Sequence, residues 1–103
     1  MLSKFLEKSV EIEDEGTYQR AGNMLELEYY LLESEYAETD DGEIHKTYGV
    51  EIVKKHHGIL NERRHFENIY NTREKMKILV AMLAENTVTP STLPYILDDL
   101  LGM

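Results

Sequence analysis

Residues 24–55 read MLELEYYLLESEYAETDDGEIHKTYGVEIVKK, and their pattern decides the fold. Leu25, Leu27, Tyr29 and Leu31 alternate with Glu26 and Glu28 at the period of a half-buried strand. Tyr48, Val50 and Ile52 alternate in the same way and form the core face of a second strand over 45–55. Between the two runs, Asp40-Asp41-Gly42 is a turn signal. Centring a hairpin on Asp41-Gly42 sets Leu31 opposite Ile52 and Glu28 opposite Lys55, which joins apolar to apolar and acid to base. Past Leu32 the alternation breaks, with Glu33 and Glu35 on the formerly apolar side. The strand either bulges there or runs out of the core. Gly49 marks a bulge or a close packing neighbour.

Upstream, Val10 and Ile12 alternate with Glu11 and Glu13, a short strand that ends at Asp14-Glu15-Gly16. Residues 1–7 are weakly patterned and are expected to fray. Downstream, a looser connection over 58–62 leads to a strand near 65–70. The period then changes. Asn71-Thr72-Arg73-Glu74 has capping residues with Glu three places after Asn71, which starts a helix. Met76, Leu79, Val80 and Leu83 recur at helical spacing, and Asn86 stops the run. A second helix is expected to start at Thr89-Pro90, with Leu93, Ile96, Leu97, Leu100 and Leu101 as its stripe. Pro94 is tolerated there only close to the helix start. Strands first and helices last predict an α+β fold: an antiparallel β-meander of three to four strands, then a C-terminal αα-hairpin packed on one face.

A length of 103 residues suits a single domain over 1–103. With no cysteine, disulfides and thiolate zinc sites are excluded, which fits a reducing compartment. The longest uncharged apolar run, residues 78–84, is too short to cross a bilayer, and the first eight residues lack the apolar stretch of a secretory signal. A cytoplasmic protein is the expectation. The net charge of −9 repels polyanions at long range. It is unevenly spread: residues 26–44 hold eight acidic groups and no basic one, while residues 45–77 hold eight basic against four acidic. Neighbouring strands are expected to neutralise this asymmetry by cross-strand pairing.

Tyr48-Gly49-Val50-Glu51-Ile52, and Val88-Thr89-Pro90 followed by Ile96-Leu97-Asp98-Asp99-Leu100-Leu101, resemble a group of small uncharacterised proteins of clostridia-like Firmicutes, collected as a domain of unknown function. The order also matches, with a Glu-Tyr-Tyr-Leu-Leu-Glu strand before the first motif and two helices joined by Val-Thr-Pro. The resemblance spans residues 8–101. It implies a bacterial cytosolic protein, and it transfers no catalytic residue.

The residues themselves offer little chemistry. Ser3, Ser9, Ser34 and Ser91 form no nucleophile elbow, and the six glycines fit neither a dinucleotide fingerprint nor a P-loop. Asp40-Asp41-Gly42-Glu43 lacks the spacing of a calcium loop. His45, His56, His57 and His65 are read as surface histidines beside turns, because adjacent His56 and His57 would face opposite sides of a regular strand. Glu33 and Glu35 share a strand face, an arrangement weighed as a carboxylate pair for acid–base work against a solvated acidic edge. No catalytic residue, metal or cofactor is assigned.

Two binding readings follow. Leu83-Ala84-Glu85 with Val88-Thr89-Pro90-Ser91-Thr92-Leu93 is similar to the turn of a helix-turn-helix repressor, which makes residues 72–101 a degenerate nucleic-acid-binding element. Against it, the second helix presents Asp98 and Asp99 and no basic residue; Arg63, Arg64, Arg73, Lys75 and Lys77 would have to supply the charge. The favoured reading is a non-enzymatic protein-interaction or regulatory module. The first helix is apolar on every side over 78–84, so Ile78 and Met82 need cover beyond the sheet. Either the second helix covers them, or a homodimer or another protein's helix does. Ile78, Met82 and Tyr95 are the candidate interaction surface, for an unknown protein partner or self-association.

Overall fold

The computed structural model describes residues 1–13, 24–37 and 42–102. The alternation in residues 24–55 builds two long strands, β2 (Met24–Ala37) and β3 (Ile44–His56), which pair antiparallel without interruption from Leu25↔His56 to Ala37↔Ile44. β1 (Leu2–Glu13) flanks β2, and β4 (Ile59–Tyr70) flanks β3, so the antiparallel sheet runs in chain order. Two helices follow, α1 (Arg73–Glu85) and α2 (Leu93–Leu101), and the class is α+β. Leu27, Tyr29 and Leu31 of β2 and Tyr48, Val50 and Ile52 of β3 share one core with Met76, Leu79, Val80 and Leu83 of α1 and Leu93 and Leu97 of α2. Each such aliphatic side chain contributes about 1.5–3 kcal/mol when fully buried. α1 touches all four strands, and α2 enters the core through Leu93 and Leu97.

The central register differs by two residues from the one centred on Asp41-Gly42. Leu31 faces Val50, Tyr29 faces Ile52 and Glu26 faces Lys55. A two-residue slip preserves parity, so every side chain keeps its face. Lys55 still reaches Glu28 diagonally, with Nζ 3.2 Å from Oε2. Asp40 and Asp41 of the expected turn lie outside the described residues, as do residues 14–16. Glu33 and Glu35 cause no bulge in β2. Each faces a cation, Arg73 at 3.5 Å and Lys46 at 3.6 Å, so the strand runs on beyond the apolar core as a charged extension.

Residues 1–7, expected to fray, instead open β1 and pair with β2 from Leu2↔Ser34 to Leu6↔Tyr30. A register shift between Leu6 and Lys8 then switches parity. Phe5 therefore faces Leu31 while Val10 faces Leu27, both on the core side despite an odd separation. The loose connection expected over 58–62 is a tight turn: His56 pairs with Ile59, leaving only His57 and Gly58, both at positive φ. That conformation is the one a two-residue hairpin loop demands, and histidine tolerates it better than branched residues do.

Gly49 meets both parts of its expectation. The β3–β4 register shifts between Tyr48 and Val50, with Asn68 of the bulged β4 segment at φ 58°. A Cβ on Gly49 would lie 2.1 Å from the Phe66 carbonyl oxygen and 2.8 Å from Glu67 Cα. Only glycine admits this approach of backbone to strand.

Both helix starts also depart from the pattern. Thr72 occupies the N-cap of α1 but makes no side-chain capping bond. α2 begins at Leu93 rather than at Thr89-Pro90, because Pro94 cannot donate to the carbonyl four residues earlier and so interrupts a ladder begun at Thr89.

Gly49→Ala should lower stability by on the order of 3 kcal/mol, since rigid backbone must move. Thermal unfolding should show Tm falling by more than about 10 °C. Tyr29 and Tyr30 supply a second expectation. Burial pushes the Tyr29 phenol up to about 12. Burial, then the hydrogen bond to Glu28 and nearby carboxylate charge, push Tyr30 up to about 12 as well. Both hold their protons more tightly folded than unfolded, so their contribution is complete below pH 10 and is lost as pH rises towards about 12. Urea titrations across that window should show stability falling, and Tyr29→Phe should flatten the slope without abolishing it.

Candidate functional site

The connection between the helices shapes the most distinct concavity. α1 closes with paired backbone bonds: Thr87 N–H donates to the Ala84 carbonyl at 3.1 Å and Val88 N–H to the Leu83 carbonyl at 3.0 Å. This is a Schellman closure, which favours glycine at the position Thr87 fills with φ 47°. The Asn86 amide adds a bond to the Met82 carbonyl at 2.8 Å. Val88 then turns inward, and the Tyr29 hydroxyl donates to its carbonyl at 2.9 Å. Residues 89–92 form one turn of their own. Thr92 Oγ1 accepts from Thr89 N–H at 3.1 Å and donates to the Thr89 carbonyl at 3.2 Å, so these polar groups are largely satisfied locally.

Between α1, this connection and α2 lies a groove of about 490 Å³. Its walls are Met82, Leu83, Val88, Ile96 and Leu100, and its rim carries Asn86, the threonines and Asp99. A second hollow of about 220 Å³ shares Met82 and Leu100 and continues past Ile78 to Tyr70 and Lys75. Together they form one apolar trough along the outer side of α1. A concavity of this size with mostly apolar walls suits a partner's side chains or an apolar ligand.

Of the three residues named from sequence, Ile78 and Met82 lie in this trough and Tyr95 does not line it. Ile78 is 72% exposed and Tyr95 is 76% exposed, while Met82 is half-buried. Of the covers considered for this stripe, the second helix therefore does not reach Ile78. Leu100, expected in the core stripe of α2, is 50% exposed on the trough instead. The nine-residue α2 buries only Leu93 and Leu97, positions one turn apart. Its apolar pattern is thus wider than the face it buries, and that excess was the sequence signal for Leu100.

The basic residues considered for nucleic acid do not gather on α2. Arg63 approaches the buried Glu51 at 3.9 Å, Arg64 lies 5.8 Å from the Phe66 ring, and Arg73 sits between Glu33 and the Phe5 ring. Seven residues separate the helices, where a helix-turn-helix uses three or four. The His56 and His57 rings lie 4.4 Å apart in the turn, and His45 stacks on Tyr36. Among the described residues, no three His, Asp or Glu side chains converge as metal ligands. No helix among them is long and apolar enough to cross a membrane.

The acidic run and the basic run meet as expected. Lys55 pairs with Glu28, Lys46 with Glu35 and Arg73 with Glu33. No curated protein and no solved structure matches the chain. A family described only as being of unknown function, DUF6514, matches residues 7–103, in keeping with the resemblance to an uncharacterised domain family. By that match over nearly its whole length, the chain belongs to the family of unknown function DUF6514.

Proposed function

We propose that this protein is a non-enzymatic interaction module that docks a protein partner in the trough along α1. The observation that carries this reading is the exposure of Ile78 and Leu100 beside an apolar groove that the chain's own second helix leaves open. Solvent-facing aliphatic side chains next to a concavity cost about 25 cal/mol for each Å² left in water, which a partner's apolar face recovers. Met82 at the centre suits such a surface, because its unbranched side chain repacks readily. In this reading the two helices act as one hairpin laid on the core side of the sheet, supported by the core that Met76, Leu83, Leu93 and Leu97 share.

A photo-reactive residue placed at position 78 in the native host tests the proposal. Protein adducts are expected there and not from the same residue at position 11, an exposed site on β1. Adding Met82→Glu should remove the adducts while the circular dichroism spectrum stays unchanged. No protein adduct at position 78, or adducts to nucleic acid alone, would overturn the reading.

A further inference from the structure

We infer that the occupant of the trough is a second copy of this chain, with the two α1 helices packed antiparallel about a two-fold axis between Ile78 and Met82. The inference rests on the interaction reading above and adds the identity and orientation of the partner. Lys75, Ile78, Met82 and Glu85 follow one another at intervals of three, four and three, the spacing of a helix–helix seam. Lys75, Ile78 and Glu85 are exposed, and Met82 is half-buried. The seam lies beside the core stripe of α1 and does not belong to it.

The order of charges along the seam selects the partner. It begins with a base, continues with two aliphatic residues and ends with an acid. Reversing a second copy against it brings Ile78 to Met82 and Lys75 to Glu85, and the two-fold axis repeats both contacts. A parallel copy would set lysine against lysine and glutamate against glutamate. Neither Lys75 nor Glu85 is engaged in an ion pair among the described residues, so both are available across the seam. Each is also placed against the dipole of its own helix, with Lys75 in the first turn and Glu85 at the end of a last turn that holds no base. An antiparallel copy brings the missing charge to both ends. The hollow bounded by Ile78, Met82 and Leu100 offers a socket for the isoleucine of the second copy.

Sedimentation of the full chain over a wide concentration range tests this, alone and as charge variants. The wild-type chain should dimerise. Lys75→Glu and Glu85→Lys should each weaken dimerisation by about tenfold or more, since each turns two attractive contacts into two repulsive ones. Mixing the two single variants should restore a heterodimer, and the double variant should dimerise by itself. Circular dichroism of each variant should match the wild type, as both sites are exposed. Dimers indifferent to both reversals, or single variants that fail to pair when mixed, would overturn the antiparallel seam. A wild-type chain that stays monomeric at high micromolar concentration would overturn self-association. Adducts from position 78 to a different protein would then still uphold the interaction reading, whereas an absence of adducts defeats both.

Discussion

The helical layer hangs on one buried hydrogen bond. Tyr29 is the largest fully buried side chain of the sheet, and its hydroxyl donates to the carbonyl of Val88 in the connection between the helices. The same Val88 closes α1 through its N–H and fills the core with its side chain. One residue thus fixes where α1 ends, how the connection enters the core and where α2 sets out. A net contribution of about 1 kcal/mol understates the role of that bond, because a buried carbonyl left unpaired costs more than the bond gains. The groove owes its position to this anchor. With Val88 drawn down onto the sheet and residues 89–92 locked as a separate turn, α2 starts displaced from α1 and does not lie flush against it.

The opposite side of the sheet is held by charge. Glu51 of β3 is only 7% exposed, yet it lies between Lys4 of β1 and Arg63 of β4. Lys4 also sits 4.3 Å from the Tyr30 ring. A carboxylate this deep tolerates its desolvation only with cations on hand. Lys4 thereby ties β1 to β3 across the intervening β2, while Arg63 ties β4 to the adjacent β3. The net acidity of the chain therefore hides a local balance, in which most lysines and arginines of β3 and β4 and the start of α1 answer a specific acid.

Much of the architecture was legible where a period repeats. Leu27, Tyr29 and Leu31, then Val50 and Ile52, then Met76, Leu79, Val80 and Leu83 all occupy the core that their spacing assigns. Register was harder to read, because a slip of two residues leaves every face unchanged and the central connection offers several turn residues in a row. The His57-Gly58 turn was missed because histidine is an uncommon choice for a left-handed turn position. The β1 bulge left a trace in the odd separation of Phe5 and Val10, which no regular strand can set on one face. For the site, the second apolar stripe on α1 was visible in Ile78 and Met82. Leu100 left only an indirect trace, an apolar stripe on α2 wider than nine residues can bury, and its pattern assigned it to the core rather than to the trough.

The two borders of the sheet have a consequence of their own. β1 is broken by a bulge next to Lys8, and β4 is broken twice, near Leu60 and again beyond Phe66, with Arg63 and Arg64 between the breaks. A straight, apolar border would be a template for a fifth strand from another molecule and, by repetition, for a fibril. Neither border here can hold a continuous ladder of new bonds. Growth by ribbon extension is thereby disfavoured at both borders of the described sheet, even though Leu2, Leu6, Ile59 and Leu60 stand exposed along those same strands.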